Sequence, residues 1–420
     1  MRSDNTGGML SPYRVLDLSD EKGFLCGKLL SDLGADVIKI EKPGGDLARR
    51  IGPFYHDIPD PEKSLYWFAY NTNKRSITLN IETADGRELF KRLVKTADFV
   101  VESFMPGYMD KLGLGYQTLS EINPGIIMVS ITPFGQTGPY KDYKASDIVC
   151  WALSGALYVS GEPDRPPVRT SHVPQSSLHG SVEGAAGAMM ALYYREITGE
   201  GQHVDISIQE CMERLITSAY MAWSVNKRVV HRVGGFRSLP PLHAKLRTYW
   251  PCKDGIVQLF LFGGEWGGRT NRALVEWMES EGKANDFLKG IDWDGLELGE
   301  MTQDEVDEIE AGIADFFMTH TKAELYQGGL KRRLIIAPVA TAKGMLEDIQ
   351  LKARDYWIEL EHYELGTSIT YPGVFFRGSG PSHRIQHRAP LIGEHNSEIY
   401  AEELGLSKER LVALVQGGVI

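Results

Sequence analysis

Along the first half of the chain, short apolar runs alternate with amphipathic ones. Val15-Leu-Asp-Leu18 reads as a buried strand, and the stretch through Leu29, Leu30 and Leu33 reads as a helix that Gly34 suits as its stop. Val37-Ile-Lys-Ile40 predicts the next strand. Thr83 is a candidate N-cap for a helix whose apolar face is Leu89, Phe90, Leu93 and Val94. Phe99-Val-Val101 and Ile126-Ile-Met-Val-Ser-Ile131 predict two further strands. Strand–helix–strand alternation of this length predicts a parallel sheet covered by helices, a Rossmann-like α/β layer. After the first strand the chain reads Ser19-Asp-Glu-Lys-Gly23 instead of G-x-G-x-x-G, which disfavours a dinucleotide redox site.

The pattern changes from about Met221. Arg232-Val-Gly-Gly-Phe-Arg237 and Leu239-Pro-Pro241 read as linker or loop, and Thr248-Tyr-Trp250 with Ile256-Val-Gln-Leu-Phe-Leu261 reads as a hairpin around Lys253-Asp-Gly255. Thr302-Gln-Asp-Glu305 and Thr321-Lys-Ala-Glu324 have the form of capping boxes, each opening a helix. A smaller α+β domain follows from these elements. After about Ala340 come motif-rich loops, Tyr371-Pro-Gly373 and Ala389-Pro-Leu-Ile-Gly-Glu-His395, and a last helix opened by Ser407.

The chain has 420 residues, enough for two domains and a sizeable core, with 42% hydrophobic and 24% charged residues. Its net charge of −11 argues against a nucleic-acid surface. The four cysteines, Cys26, Cys150, Cys211 and Cys252, form no C-x-x-C pair, so neither a zinc site nor a disulfide framework is expected and a reducing cytoplasm fits. Met1-Arg-Ser-Asp-Asn-Thr-Gly-Gly has no apolar core of a signal peptide, and no run of about eighteen apolar residues would cross a membrane.

Seven short motifs stand in a fixed order: Leu33-Gly-Ala-Asp-Val-Ile-Lys-Ile-Glu41, Asn73-Lys-Arg-Ser-Ile77, Glu102-Ser-Phe-Met-Pro-Gly107, Lys111-Leu-Gly-Leu-Gly115, Gly135-Gln-Thr-Gly-Pro139, Thr198-Gly-Glu-Gly-Gln202 and Pro390-Leu-Ile-Gly-Glu-His395. Each alone is weak; in this order the chain resembles the class III CoA-transferases, the formyl-CoA and carnitine-CoA transferase family. The resemblance implies a Rossmann-like large domain built from both chain ends (1–222 and 339–420), a small α+β middle domain with linkers (223–338), and two subunits interlocked like chain links. It implies coenzyme A thioester and carboxylic acid as substrates, with no permanently bound cofactor and no metal. Matched residue by residue, it places CoA at Lys42, Leu79, Ser103, Phe104, Met105, Lys111 and Lys144, with Glu82 where the family usually carries a basic residue. Lysines near phosphates supply charge-assisted hydrogen bonds, and an aromatic ring offers a face for adenine, although a lone surface lysine is more often simply solvated.

In that family the nucleophile is an Asp four residues before a glycine. Here Ser176 stands four residues before Gly180, between Gln175 and Ser177. The family reaction passes through a mixed anhydride and an enzyme-bound thioester, both carried by the carboxylate. A serine has no acyl group to hold CoA, and its oxygen ester lies too low in energy to give the acyl group back. A Ser–His hydrolase pairing with His172 or His179 lacks the G-x-S-x-G elbow and an orienting acid. Asp147 and Asp164 are the nearest acids in sequence, and neither is a good substitute by position. The residues therefore point to the non-catalytic subunit of a heteromeric transferase, with a homologous Asp-bearing chain as partner. The succinyl-CoA:(R)-benzylsuccinate CoA-transferases contain such a pair, which suggests succinyl-CoA and an aromatic succinate as substrates. An active homodimer using another acid or a direct route, and a CoA-binding protein without turnover, are the rival readings.

Overall fold

A computed structural model describes residues 8–171, 173–237, 244–379 and 384–420; Leu239-Pro-Pro241 and His172 lie outside the described residues. The chain forms two compact units: 1–157 with 169–228 and 349–420, and 158–168 with 229–348.

The first unit is built on a six-stranded sheet: β1 (Arg14–Asp17), β2 (Asp36–Glu41), β3 (Arg75–Thr78), β4 (Phe99–Glu102), β5 (Ile127–Thr132) and β6 (His203–Ser207). The order is β3-β2-β1-β4-β5-β6 and every pairing is parallel. The α/β class read from the alternating pattern is therefore what is observed. Both faces are covered, which is why the central strands read as near-continuous apolar runs. Leu16, Ile38, Val100 and Met128 pack with Phe90 on one face, and Val15, Val37, Val101 and Ile131 pack with Leu30 and Ala188 on the other.

The helix Phe24–Asp32 ends two residues before Gly34, whose φ of +100° takes the chain out of the helix. Thr83 caps the helix Ala84–Val94 by accepting the amide of Gly86. The long helix Gln175–Thr198 lies close on β5 and β6 because its inner face is small: a Cβ on Gly184 would stand 2.9 Å from Ile131, and one on Gly187 would stand 2.8 Å from Val204.

The open edge of β3 is sealed by the returning C-terminal segment. The Ser76 amide donates to His395 Nδ1 (3.1 Å), the Thr78 amide donates to Asn396 Oδ1 (2.9 Å), and Tyr400 donates to the Thr78 carbonyl (2.7 Å). At the carboxyl end of β1 lies a sealed ion cluster. Lys74 Nζ donates to Asp17 (2.8 Å) and Lys39 Nζ lies 3.8 Å from the same carboxylate, all three side chains having no exposure. Burial pushes the Asp17 carboxyl up, but Lys74 and then Lys39 outweigh it and hold it below the usual range.

The second unit carries a three-stranded antiparallel sheet of Tyr249–Cys252, Gly255–Leu259 and Ile336–Pro338. The predicted hairpin is present, with Cys252 opposite Gly255. Both capping boxes form, at Thr302 with Glu305 and at Thr321 with Glu324. The glycine run Gly263–Gly268 opens the helix Gly264–Ser280, and a Cβ on Gly267 or Gly268 would strike the carbonyl of Phe262 or Trp293 at 2.2 Å. Packing accounts for those two glycines.

Candidate active site

In an open parallel sheet, ligands gather at the carboxyl ends of the strands where the strand order reverses. Here the reversal falls between β1 and β4. Ser103, just after β4, closes onto the loop after β1: its hydroxyl donates to Asp20 Oδ1 (2.7 Å) and accepts the Asp20 amide (2.8 Å). That loop is also tied to the long helix, since Ser181 donates to the Lys22 carbonyl (2.7 Å). Lys22 itself pairs with Asp20.

Beside this junction opens a cleft of about 520 Å³, with Leu18, Ile40, Leu79 and Ile81 as apolar floor and Phe104 and Tyr108 as aromatic wall. The two rings pack at 4.7 Å between centroids. Asp20, Glu21, Glu41, Lys42 and Asp46 supply the charged lining. Lys42 Nζ lies 2.9 Å from Glu82, and Tyr108 donates to the same carboxylate at 2.7 Å. Those bonds, from Tyr108 and then Lys42, hold the Glu82 carboxyl below its usual range. Burial, and after it the charge of Asp20, push the Glu21 carboxyl up.

Of the seven positions matched to CoA contacts, Lys42, Leu79 and Phe104 come together in this cleft. Ser103 sits behind it as the clasp on Asp20. Met105 lines a separate recess of about 150 Å³ with Glu102, Ser130, Gln136 and His203. Lys111 and Lys144 are exposed and line neither. Asp20 and Glu21, in the stretch that follows β1, are joined here by Asp46 and Tyr108, which no sequence motif singled out; the three segments are brought together only by the fold. The sequence reading missed the recess, where burial raises the Glu102 carboxyl to about 7 and Ser130 bonds His203 Nε2 at 2.8 Å.

Ser176 opens the second position of the long helix and is 1% exposed. Its amide (2.9 Å) and its hydroxyl (2.8 Å) both donate to Asp147 Oδ1, while Arg169 donates to Asp147 Oδ2 at 3.2 Å. Asp147 thus caps the helix start from another helix, Asp147–Leu153, a union 29 residues apart that the sequence reading did not see. The Ser176 hydroxyl is spent on a carboxylate. Among the described residues no hydrogen bond joins it to His179. Gln175 is half-buried and Ser177 is buried.

Among the described residues, no cluster of three or more His, Cys, Asp or Glu side chains could hold a metal, and no helix is long and apolar enough to cross a membrane.

A sequence model of CoA-transferase family III matches residues 10–396. The chain is 34% identical over 400 residues to a succinyl-CoA:(R)-benzylsuccinate CoA-transferase subunit, BbsE, of Thauera aromatica, covering 94% of each. It is 33% identical over 422 residues to the succinyl-CoA–D-citramalate CoA-transferase of Chloroflexus aurantiacus, covering 100% of each. Among solved structures, a CAIB/BAIF family protein from Brucella suis superimposes with a TM-score of 0.80 at 28% identity, covering 94% of this chain and 99% of that one.

Proposed function

This chain belongs to CoA-transferase family III, and we propose that within it the chain is the subunit without the nucleophile, working beside a homologous chain that carries the family Asp. The observation that carries this reading is the state of Ser176: buried, hydrogen-bonded through both its amide and its hydroxyl, and lacking the carboxyl group that the reaction needs. In the family reaction a carboxylate oxygen attacks the acyl-CoA carbonyl, the C–S bond breaks, and CoA leaves as thiolate. The thiolate then attacks the enzyme's own carbonyl in the anhydride, releasing the first acid and leaving CoA on the enzyme. An acceptor carboxylate repeats the steps in reverse. Serine stops at the first step, because the ester it forms is less activated than the thioester it came from.

The need for a partner is supported by the first unit's surface. The helix Thr217–Asn226 buries none of its residues, and Met221, Trp223 and Val225 are all more than half exposed. On the outer side of the long helix, Met190, Tyr193 and Ile197 are each about 70% exposed. Apolar side chains gathered like this are usually covered in the working protein. The partner we assign is the Asp-bearing homologue, interlocked with this chain. Its CoA donor would be succinyl-CoA, as named for both relatives described above, and its acceptor a carboxylic acid, an aromatic succinate such as benzylsuccinate being the first to try. Native mass measurement of the protein purified from its own source tests this: two homologous chains of different mass are expected, and full transferase activity from a preparation of this chain alone contradicts it.

One observation favours a second reading, an active homodimer: Asp147, a carboxylate of this same chain, stands 2.8 Å from the Ser176 hydroxyl. Against it, both oxygens of Asp147 are already engaged and its side chain is only 7% exposed. The two readings part at Asp147→Asn. The rate of the native complex holds under the first and falls by roughly a thousandfold or more under the second.

A further inference from the structure

The large cleft beside β1 and β4 has the wrong charge for a polyphosphate. Four of its lining side chains are carboxylates, Asp20, Glu21, Glu41 and Asp46, against one ammonium, Lys42. The cations that balance these carboxylates, Lys22, Lys39 and Arg49, are not among the lining residues. Arg49 is held 2.7 Å from Glu41 and 2.7 Å from Glu62 with 1% side-chain exposure, and Lys39 is wholly buried. Neither can swing out to a ligand without abandoning a buried carboxylate. Lys22 is held by Asp20; Lys42, the one cation among the lining residues, already faces Glu82, and Glu82 is fixed by Tyr108 at the aromatic wall. A ligand phosphate reaching Lys42 would therefore meet Glu82 first as a repelling charge.

We propose that this cleft excludes coenzyme A, with Glu82 and Glu21 as the specificity-determining residues, so that a pair formed with the Asp-bearing homologue carries one CoA site, on the partner. The apolar floor and aromatic wall preserve the shape of a nucleotide cleft, while the carboxylates remove its affinity for the 3′-phosphate and pyrophosphate. Electrostatic exclusion of this kind does not depend on Ser176, so it rests on the family reading of the cleft but not on the chemistry argued for the nucleophile's place.

The test is a calorimetric titration of CoA, to about 1 mM, onto the natively purified protein, with the chain composition counted by native mass. For a heteromeric pair the expected count is one CoA per pair; two per pair overturns the proposal. If the protein proves to be a homodimer, the pairing reading fails by itself, and the expected count for the cleft is then zero; one CoA per chain overturns it. The double variant Glu21→Gln, in the cleft lining, with Glu82→Lys, exposed beside Lys42, should raise the CoA affinity of this chain at least about a hundredfold and add one CoA per copy. A count that stays unchanged in the variant overturns the assignment to these two residues.

Discussion

Asp17 and Asp147 are both aspartates held by cations in the same unit, and they serve different ends. Asp17 is sealed beneath the strand ends, with Lys74 and Lys39 around it and no exposure. Asp147 stands at a helix start and ties Ser176 and Arg169 to itself. Removing the first leaves two buried ammonium groups without their shared counter-charge; removing the second leaves one helix start without a cap. The sheet floor thus keeps a costly internal charge arrangement, whereas at the nucleophile's place the polar groups have settled into a locally satisfied set. A family scaffold can persist under strong stability constraints while the reactive position drifts, because the constraints act on different residues.

The largest effect that would break this contrast is expected at the floor. Asp17→Asn should destabilise the protein by about 3–5 kcal/mol, read by urea unfolding, because breaking a buried ion cluster leaves uncompensated charge. Since the Asp17 carboxyl is held low in the folded state, its contribution is present above the usual carboxylate range and fades as pH falls through its folded value. Glu102 runs the other way. Burial raises its carboxyl from 4.5 to about 7, so the folded state binds the proton more tightly. Its penalty is absent below the unfolded value and grows as pH rises from 4.5 to about 7. Glu102→Gln should accordingly gain on the native protein between pH 5 and pH 8, by about 2–3 kcal/mol in the unfolding free energy.

Gly184→Val probes the close seat of the long helix and should cost about 1–3 kcal/mol, since its Cβ would stand 2.9 Å from Ile131. The smallest effect is at the corner itself. Ser176→Ala removes one hydroxyl bond to Asp147 and should lower stability by about 1 kcal/mol. The transferase rate of the native complex should stay within about twofold, because on this account the chain passes no acyl group through that residue.

What was legible in the chain follows the range of the interactions involved. β1, β2, β4 and β5 announced themselves because both their faces are buried and each carries a short apolar run at its centre. The two edge strands did not. β3 reads Arg-Ser-Ile-Thr, and β6 reads His-Val-Asp-Ile-Ser with alternate residues exposed, so neither presents an apolar run. Caps at Thr83, Thr302, Thr321 and Ser407 were readable because donor and acceptor lie within three residues. The site was only half readable. The family resemblance marked Lys42, Leu79 and Phe104, which meet in one cleft, but nothing local marked Asp147 as the partner of Ser176 or Glu82 as the partner of Lys42. Those contacts span 29 and 40 residues and are made by chain reversal, not by any periodic pattern.

The most direct test is chemical trapping. The native complex is incubated with acyl-CoA, quenched with hydroxylamine, and each chain is mapped by peptide mass. Hydroxamate on a carboxylate of the partner, with this chain unmodified throughout, is the predicted result; a hydroxamate on Asp147, or on any other carboxylate of this chain, contradicts the account.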